Sequence, residues 1–225
     1  TYASKIAGVL GVNPEDLYKT IDKTKKTISK TTVIAVAIDK GGSGKTTVTC
    51  NLGYTLSELG YKVLLIDTDH QKNLSHTFGY DENEKNFYTA FTQRQDIREH
   101  ILNTSYPNLD IVVSSKSIRR IESEMVNMPF KEARLKDILD NVVSDNTYDF
   151  ILIDTRPALG SYNSTILYGA DEVLIPAEAS EYGVTGLDNI LSLYLEVKEY
   201  KPNLNILGIV INNSNVTTNL SQDAI

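Results

Sequence analysis

Residues 33–47, V-I-A-V-A-I-D-K-G-G-S-G-K-T-T, constrain the fold of this chain more than any other stretch. Val33 to Ile38 run apolar without alternation, the pattern of a strand buried on both faces of a parallel sheet. A glycine-rich turn follows, and a helical pattern opens at Thr46. Strand, glycine turn and helix in that order make a cradle for phosphates. Gly41, Gly42 and Gly44 let backbone N–H groups approach phosphate oxygens at a helix N-terminus. Lys45 supplies a point charge for the β- and γ-phosphates, and the Thr46 hydroxyl is a direct ligand for Mg2+. Candidate ATP phosphate-binding residues in this loop are therefore Gly41, Gly42, Ser43, Gly44, Lys45, Thr46 and Thr47. Asp39 stands where the usual P-loop pattern has its first glycine.

Beyond the loop, β-branched runs recur at Thr32–Ile38, Tyr61–Asp67, Leu109–Ser114, Tyr148–Asp154, Glu172–Pro176 and Asn205–Ile211, with helical patterns between them. This alternation predicts an α/β fold, a doubly wound and mostly parallel sheet flanked by helices, with its ligand site at the carboxyl ends of the strands. In the first helix Val48, Leu52, Leu56 and Leu59 share one face, and Gly60 supplies the stop. A later helix spans roughly Gly186 to Glu199, ahead of Lys201-Pro202.

Two regions depart from the pattern. Residues 1–30 form a lysine-rich, helical N-terminal extension carrying +3, which leaves −10 on the rest of a chain whose net charge is −7. Within that extension Ala7 and Gly11 lie among Ile6, Leu10, Val12 and Leu17, a spacing that fits a helix-turn-helix core or a packing hairpin. Phe78–Tyr106 is polar and aperiodic and reads as a mobile or partner-facing excursion. Residues 31–225 make up the predicted P-loop ATPase domain; the closing "VTTNLSQDAI" reads as a helix start, so the natural protein is expected to continue.

Composition excludes several classes. With 41% apolar and 23% charged residues the chain is neither disordered nor extremely polar. Its apolar runs are strand-sized, far short of the ~20 residues that cross a bilayer. Cys50 is alone, which rules out a disulfide framework or a cysteine metal site within one chain. The expected location is cytoplasmic.

The loop Lys-Gly-Gly-x-Gly-Lys-Thr-Thr, with a lysine directly before the glycine pair, resembles the deviant Walker A loop of ParA/MinD-type ATPases, and the resemblance covers residues 32–225. It implies a Mg2+-dependent ATPase. Lys40 matches the signature lysine that reaches across a nucleotide-sandwich dimer to the partner's phosphates. Such a cation acts as an arginine finger does, where the contribution is roughly 10³–10⁵ in rate. Asp39 is expected to point away from the phosphates, toward a lysine. "KVLLIDTDHQKN" is similar to the strand end and Asp-x-Asp-Pro-Gln-Gly-Asn motif of the family. Its Asp69 then orients the attacking water and, with Lys40 and Lys45, is catalytic. Asp67 supports the Mg2+ shell through water, while His70 and Lys72 replace the family's Pro and Gly. "YDFILIDTRPALG" ends in Asp154 at the Walker B position, holding Mg2+ through water, with Arg156 in place of a Pro. Arg156 reads equally as a phosphate or dimer contact and as a surface substitution. "GADEVLIPAEASEYGVTGL" also looks like the family's sequence. In "ILGIVINNSN", Asn212 or Asn213 is a candidate for the adenine contact or a plain turn asparagine.

The resemblance implies a partition ATPase: a homodimer on ATP binding, non-specific DNA as ligand at the nucleoid, a centromere-binding ParB-like partner, and no membrane. A MinD-like membrane-positioning ATPase is the alternative and needs an amphipathic anchor. A bacterial tyrosine kinase is less favoured, because the 13 tyrosines are scattered. The nitrogenase-reductase branch needs cluster cysteines that this sequence lacks.

Overall fold

The computed structural model describes residues 28–178 and 181–212. Nearly all of the 1–30 extension, and Asn213, lie outside them. Seven strands form one sheet in the order β3-β4-β2-β5-β1-β6-β7. They are β1 (Thr32–Val36), β2 (Val63–Asp67), β3 (Leu102–Asn103), β4 (Leu109–Val112), β5 (Phe150–Asp154), β6 (Glu172–Glu178) and β7 (Asn205–Asn212). All neighbours pair parallel except β3 with β4. The doubly wound fold expected from the alternation is present, and all six expected strands form. β3 escapes the pattern because two residues are too few to show a period.

Alternate residues of each central strand face opposite layers. Ile34, Val36, Val63, Leu65 and Leu152 enter one apolar cluster; Val33, Ala35, Leu64, Ile66, Ile151 and Ile153 enter the other. Among the described residues the α-helices are α1 (Lys45–Glu58), α2 (Asn73–Thr77), α3 (Phe87–Gln93), α4 (Ile121–Met125), α5 (Arg134–Ser144), α6 (Ser161–Gly169) and α7 (Glu181–Tyr200).

Helix α1 corrects one expectation. Its buried stripe is Lys45, Thr49, Gly53 and Ser57, not the Val48–Leu52–Leu56 face, which is half-buried, and Leu59 is exposed. The helix sits so close to the sheet that a Cβ at Gly53 would lie 2.6 Å from Leu65 Cδ2. Small residues therefore hold the contact, and the larger ones flank it. Gly60 does end the helix: at φ 84° its N–H donates to Ser57 O, and the Tyr61 N–H reaches back to Leu56 O.

The excursion over Phe78–Tyr106 is also corrected: it is packed. Asn86 caps α3 by accepting from the Thr89 N–H. Phe87 and Phe91 are fully buried and meet Tyr162 of α6 edge-on, with ring centroids 6.5 and 5.8 Å away. A seven-residue helix shows too little periodicity to be read among polar neighbours.

Candidate functional site: a phosphate cradle at the carboxyl ends of the strands

Strands β1, β2 and β5 end side by side. Val36 and Asp67 are both register partners of Asp154, so the two carboxylates sit on neighbouring strands at one edge of the sheet. The loop 39–44 leaves β1 above them and delivers the chain into α1. Gly42 (φ 76°) and Gly44 (φ 91°) adopt the left-handed region that glycine tolerates, and Gly44 caps α1 with no side-chain bond. The first N–H groups of α1 thus face the loop without intrahelical partners, as a receiver of anions must. Gly41, Gly42 and Thr47 are exposed, while Ser43 is buried and its hydroxyl donates to Lys40 O at 3.2 Å.

Lys45 is buried, its ammonium donating to Lys40 O at 2.7 Å and Ile38 O at 3.4 Å. Burial lowers its pKa, against the nearby charges of Asp154, Asp69 and Asp39. The Thr46 hydroxyl donates to Asp154 Oδ2 at 2.7 Å. Asp154 Oδ1 is buried and has no hydrogen-bond partner among the described residues. Burial, then the Asp67 charge, pushes the Asp154 carboxyl up to about 8. A hydroxyl and an unsatisfied buried carboxylate oxygen, both hard donors beneath a phosphate cradle, fit Mg2+.

Asp67 is placed differently from its neighbour. Its Oδ2 accepts from the Ser75 N–H (2.8 Å) and hydroxyl (2.6 Å), and its Oδ1 from the Asp69 N–H (3.0 Å). Burial still raises its carboxyl to about 6. Asp67 thereby ties α2 and the Asp69 turn to the end of β2. Asp69 is largely buried; its Oδ1 accepts from the Gln71 N–H and faces His70 Nδ1 at 3.2 Å. Its carbonyl accepts from the Ser114 hydroxyl at 2.7 Å.

Lys40 meets the carboxylate of Glu178, at the end of β6. Asp39 does point aside, but to an amide: Asn189 of α7 donates to its Oδ2 at 2.8 Å. No lysine is needed because α7 runs against the loop. A Cβ at Gly186 would lie 3.1 Å from Asp39 O and 3.2 Å from Lys40 Cβ. Arg156 is no surface substitution. Its side chain is 12% exposed, paired with Glu122 and stacked over Tyr162 at 4.7 Å. The Tyr162 hydroxyl in turn donates to Thr68 O, between Asp67 and Asp69. Asn212 donates to Ser43 O at 3.1 Å, which brings the end of β7 onto the phosphate loop.

Sequence reasoning missed Glu178, Asn189 and Tyr162. Glu178 meets Lys40 across 138 positions, Asn189 meets Asp39 across 150 and Tyr162 meets Thr68 across 94, and no spacing rule links such pairs.

This arrangement of loop, helix and strand-end carboxylates defines a P-loop nucleoside triphosphatase. A family model described as an AAA domain matches residues 31–206. Sporulation initiation inhibitor protein Soj of Bacillus subtilis is 34% identical over 191 residues, 84% of this chain and 75% of Soj. A plasmid partition protein from Borrelia burgdorferi superposes with TM-score 0.75 at 28% identity, over 87% of this chain and 84% of that one. Cobyrinic acid a,c-diamide synthase from Mycobacterium smegmatis, solved with an ATP analogue and magnesium, gives TM-score 0.79 at 26% identity, over 86% and 79%. The chain belongs to the ParA-type family of partition ATPases.

Proposed function

We propose that this chain is the ATP-hydrolysing switch of a DNA segregation system, with residues 31–225 as the ATPase domain and 1–30 as its extension. In this reading ATP and Mg2+ close a homodimer that holds DNA without sequence preference, and a centromere-binding ParB-like partner stimulates hydrolysis. The single observation that carries it is the placement of Lys40 at the mouth of the loop, beside a Lys45 turned inward. One loop thus carries two lysines in two positions. A P-loop that only bound nucleotide would need Lys45 alone.

The residues divide the chemistry. The N–H groups of Gly42–Thr46 receive phosphate oxygens, and Lys45 exchanges the Lys40 carbonyl for them. The Thr46 hydroxyl and Asp154 hold Mg2+, with Asp67 behind them. When bound, Mg2+ supplies neutralisation of phosphate charge. Asp69 orients water for attack, and Lys40 reaches the partner subunit's phosphates. Asn212, already on the loop, and Asn213 are the adenine candidates.

Sedimentation with ATP and Mg2+ tests this reading. Asp69→Ala protein, which binds but does not hydrolyse, is expected to run as a dimer, and Lys40→Ala as a nucleotide-bound monomer. A Lys40→Ala dimer of wild-type affinity would refute the role in trans.

A further inference from the structure

Lys72 combines a left-handed backbone, a covered side chain and a place beside the Asp69 turn. Its backbone lies in the left-handed region (φ 57°, ψ 29°), where a residue with a Cβ is strained by about 1 kcal/mol or more. Its side chain is 1% exposed, covered by the carboxylates of Asp81 and Glu82, which themselves lie at the surface. It also stands three residues after Asp69, where the resembling motif has glycine, the residue that this backbone would favour.

The surroundings explain what the side chain does. Its ammonium donates to Asp81 and, at 2.9 Å, to Glu82. Burial works against the charge, but the hydrogen bonds to those two carboxylates outweigh it and raise the pKa, so the ammonium stays protonated. His76 also faces Asp81 at 3.4 Å, and Lys116 lies near both carboxylates. From Lys72 the contacts close a ring around the Asp69 turn. The Lys72 N–H donates to Asp69 O at 3.0 Å. The Ser114 hydroxyl donates to that same oxygen at 2.7 Å, and the Ser115 hydroxyl next to it donates to Glu82 Oε2 at 3.4 Å. Asp69, Lys72, Glu82 and the Ser114–Ser115 turn therefore hold one another across three separate segments.

We infer that Lys72 is a positioning residue: its clamp on Asp81 and Glu82 fixes the turn that presents the Asp69 carboxylate. The inference rests on the reading of Asp69 as the group that orients attacking water. The side-chain contacts of the clamp run to Asp81, Glu82 and Ser115 and to no residue of the phosphate loop, so it acts on turnover and not on nucleotide binding. A glycine here would relieve the backbone and release the turn.

Hydrogen exchange of the protein without nucleotide, paired with steady-state kinetics, tests the clamp on Lys72→Met, Lys72→Gly, Lys72→Arg and the Asp81→Asn/Glu82→Gln double variant. Exchange over residues 69–76 is expected to quicken about tenfold or more in the Met, Gly and double variants. In the same three, kcat falls about five- to twentyfold while KM for ATP stays within about twofold. Lys72→Arg keeps both near wild type. Should Lys72→Met fail to fold, the double variant opens the same clamp from its exposed side. Unchanged exchange in the Gly and double variants overturns the inference, as does a change confined to KM or an Arg variant as impaired as the Met. A wild-type protein without turnover would instead sink the ATPase reading, and the exchange data would still decide the clamp.

Discussion

Lys40 and Glu178 form an ion pair across 138 positions of sequence, with side chains 19% and 17% exposed. The residue expected to reach a partner's phosphates is thus held by a carboxylate of its own subunit, so the two arrangements compete. Glu178→Gln weakens the internal pair and should tighten the ATP-dependent dimer about two- to fivefold, the scale of a partly exposed ion pair. Sedimentation equilibrium in an Asp69→Ala background measures this. An unchanged dimer constant would mean that Glu178 does not restrain Lys40.

Asp154 offers Mg2+ a buried oxygen without a hydrogen-bond partner among the described residues, and its other oxygen already holds Thr46. Asp154→Asn keeps an acceptor for the Thr46 hydroxyl but loses the charge. The Mg2+ concentration for half-maximal turnover should rise roughly 10–100-fold, as when a residue supporting a bound metal is lost. Removing Mg2+ with a chelator should abolish turnover in both proteins. A variant with the wild-type Mg2+ profile would take Asp154 out of the metal site.

Stability should fall on mild acidification because of His100. The ring is 4% exposed; Nδ1 accepts from the Asn86 N–H, and Nε2 donates to Gln95 Oε1. Burial lowers its pKa below the ordinary 6.5; Glu99 opposes the shift and Lys85 adds to it. Below 6.5 the unfolded chain takes up a proton that the native ring refuses. The native state therefore loses up to about 1.4 kcal/mol per pH unit until the folded value is reached. Urea unfolding at pH 7.5 and 5.5 should show this loss in wild type and a smaller one in His100→Gln. Equal losses in both would remove His100 as the cause.

The fold was legible because the sheet is buried on both faces. Thr32–Ile38 and Tyr148–Asp154 read as strands from their unbroken apolar runs, and the glycine loop marks where the site must lie. Legibility ended where small residues replaced large ones, as on α1, whose contact with Leu65 is made by Gly53 and not by its leucines. It ended too in short elements such as α3, whose aromatics find their core only through Tyr162. At the site, the loop and the strand-end carboxylates were readable from spacing. Their supports were not: Glu178 under Lys40, Ser75 on Asp67 and Asn189 on Asp39 are contacts that only the folded chain creates. Lys72 looked like a departure from a motif, and only its left-handed backbone and buried ammonium gave it a purpose.

The central claim is that nucleotide state controls a hold on DNA. Fluorescence anisotropy of random-sequence duplex DNA with Asp69→Ala protein, comparing ATP–Mg2+ with ADP–Mg2+ across a salt series, tests it most directly. Binding is expected with ATP only, weakening steeply as salt rises because phosphate contacts release counterions. Equal binding in both states, or none in either, would contradict it.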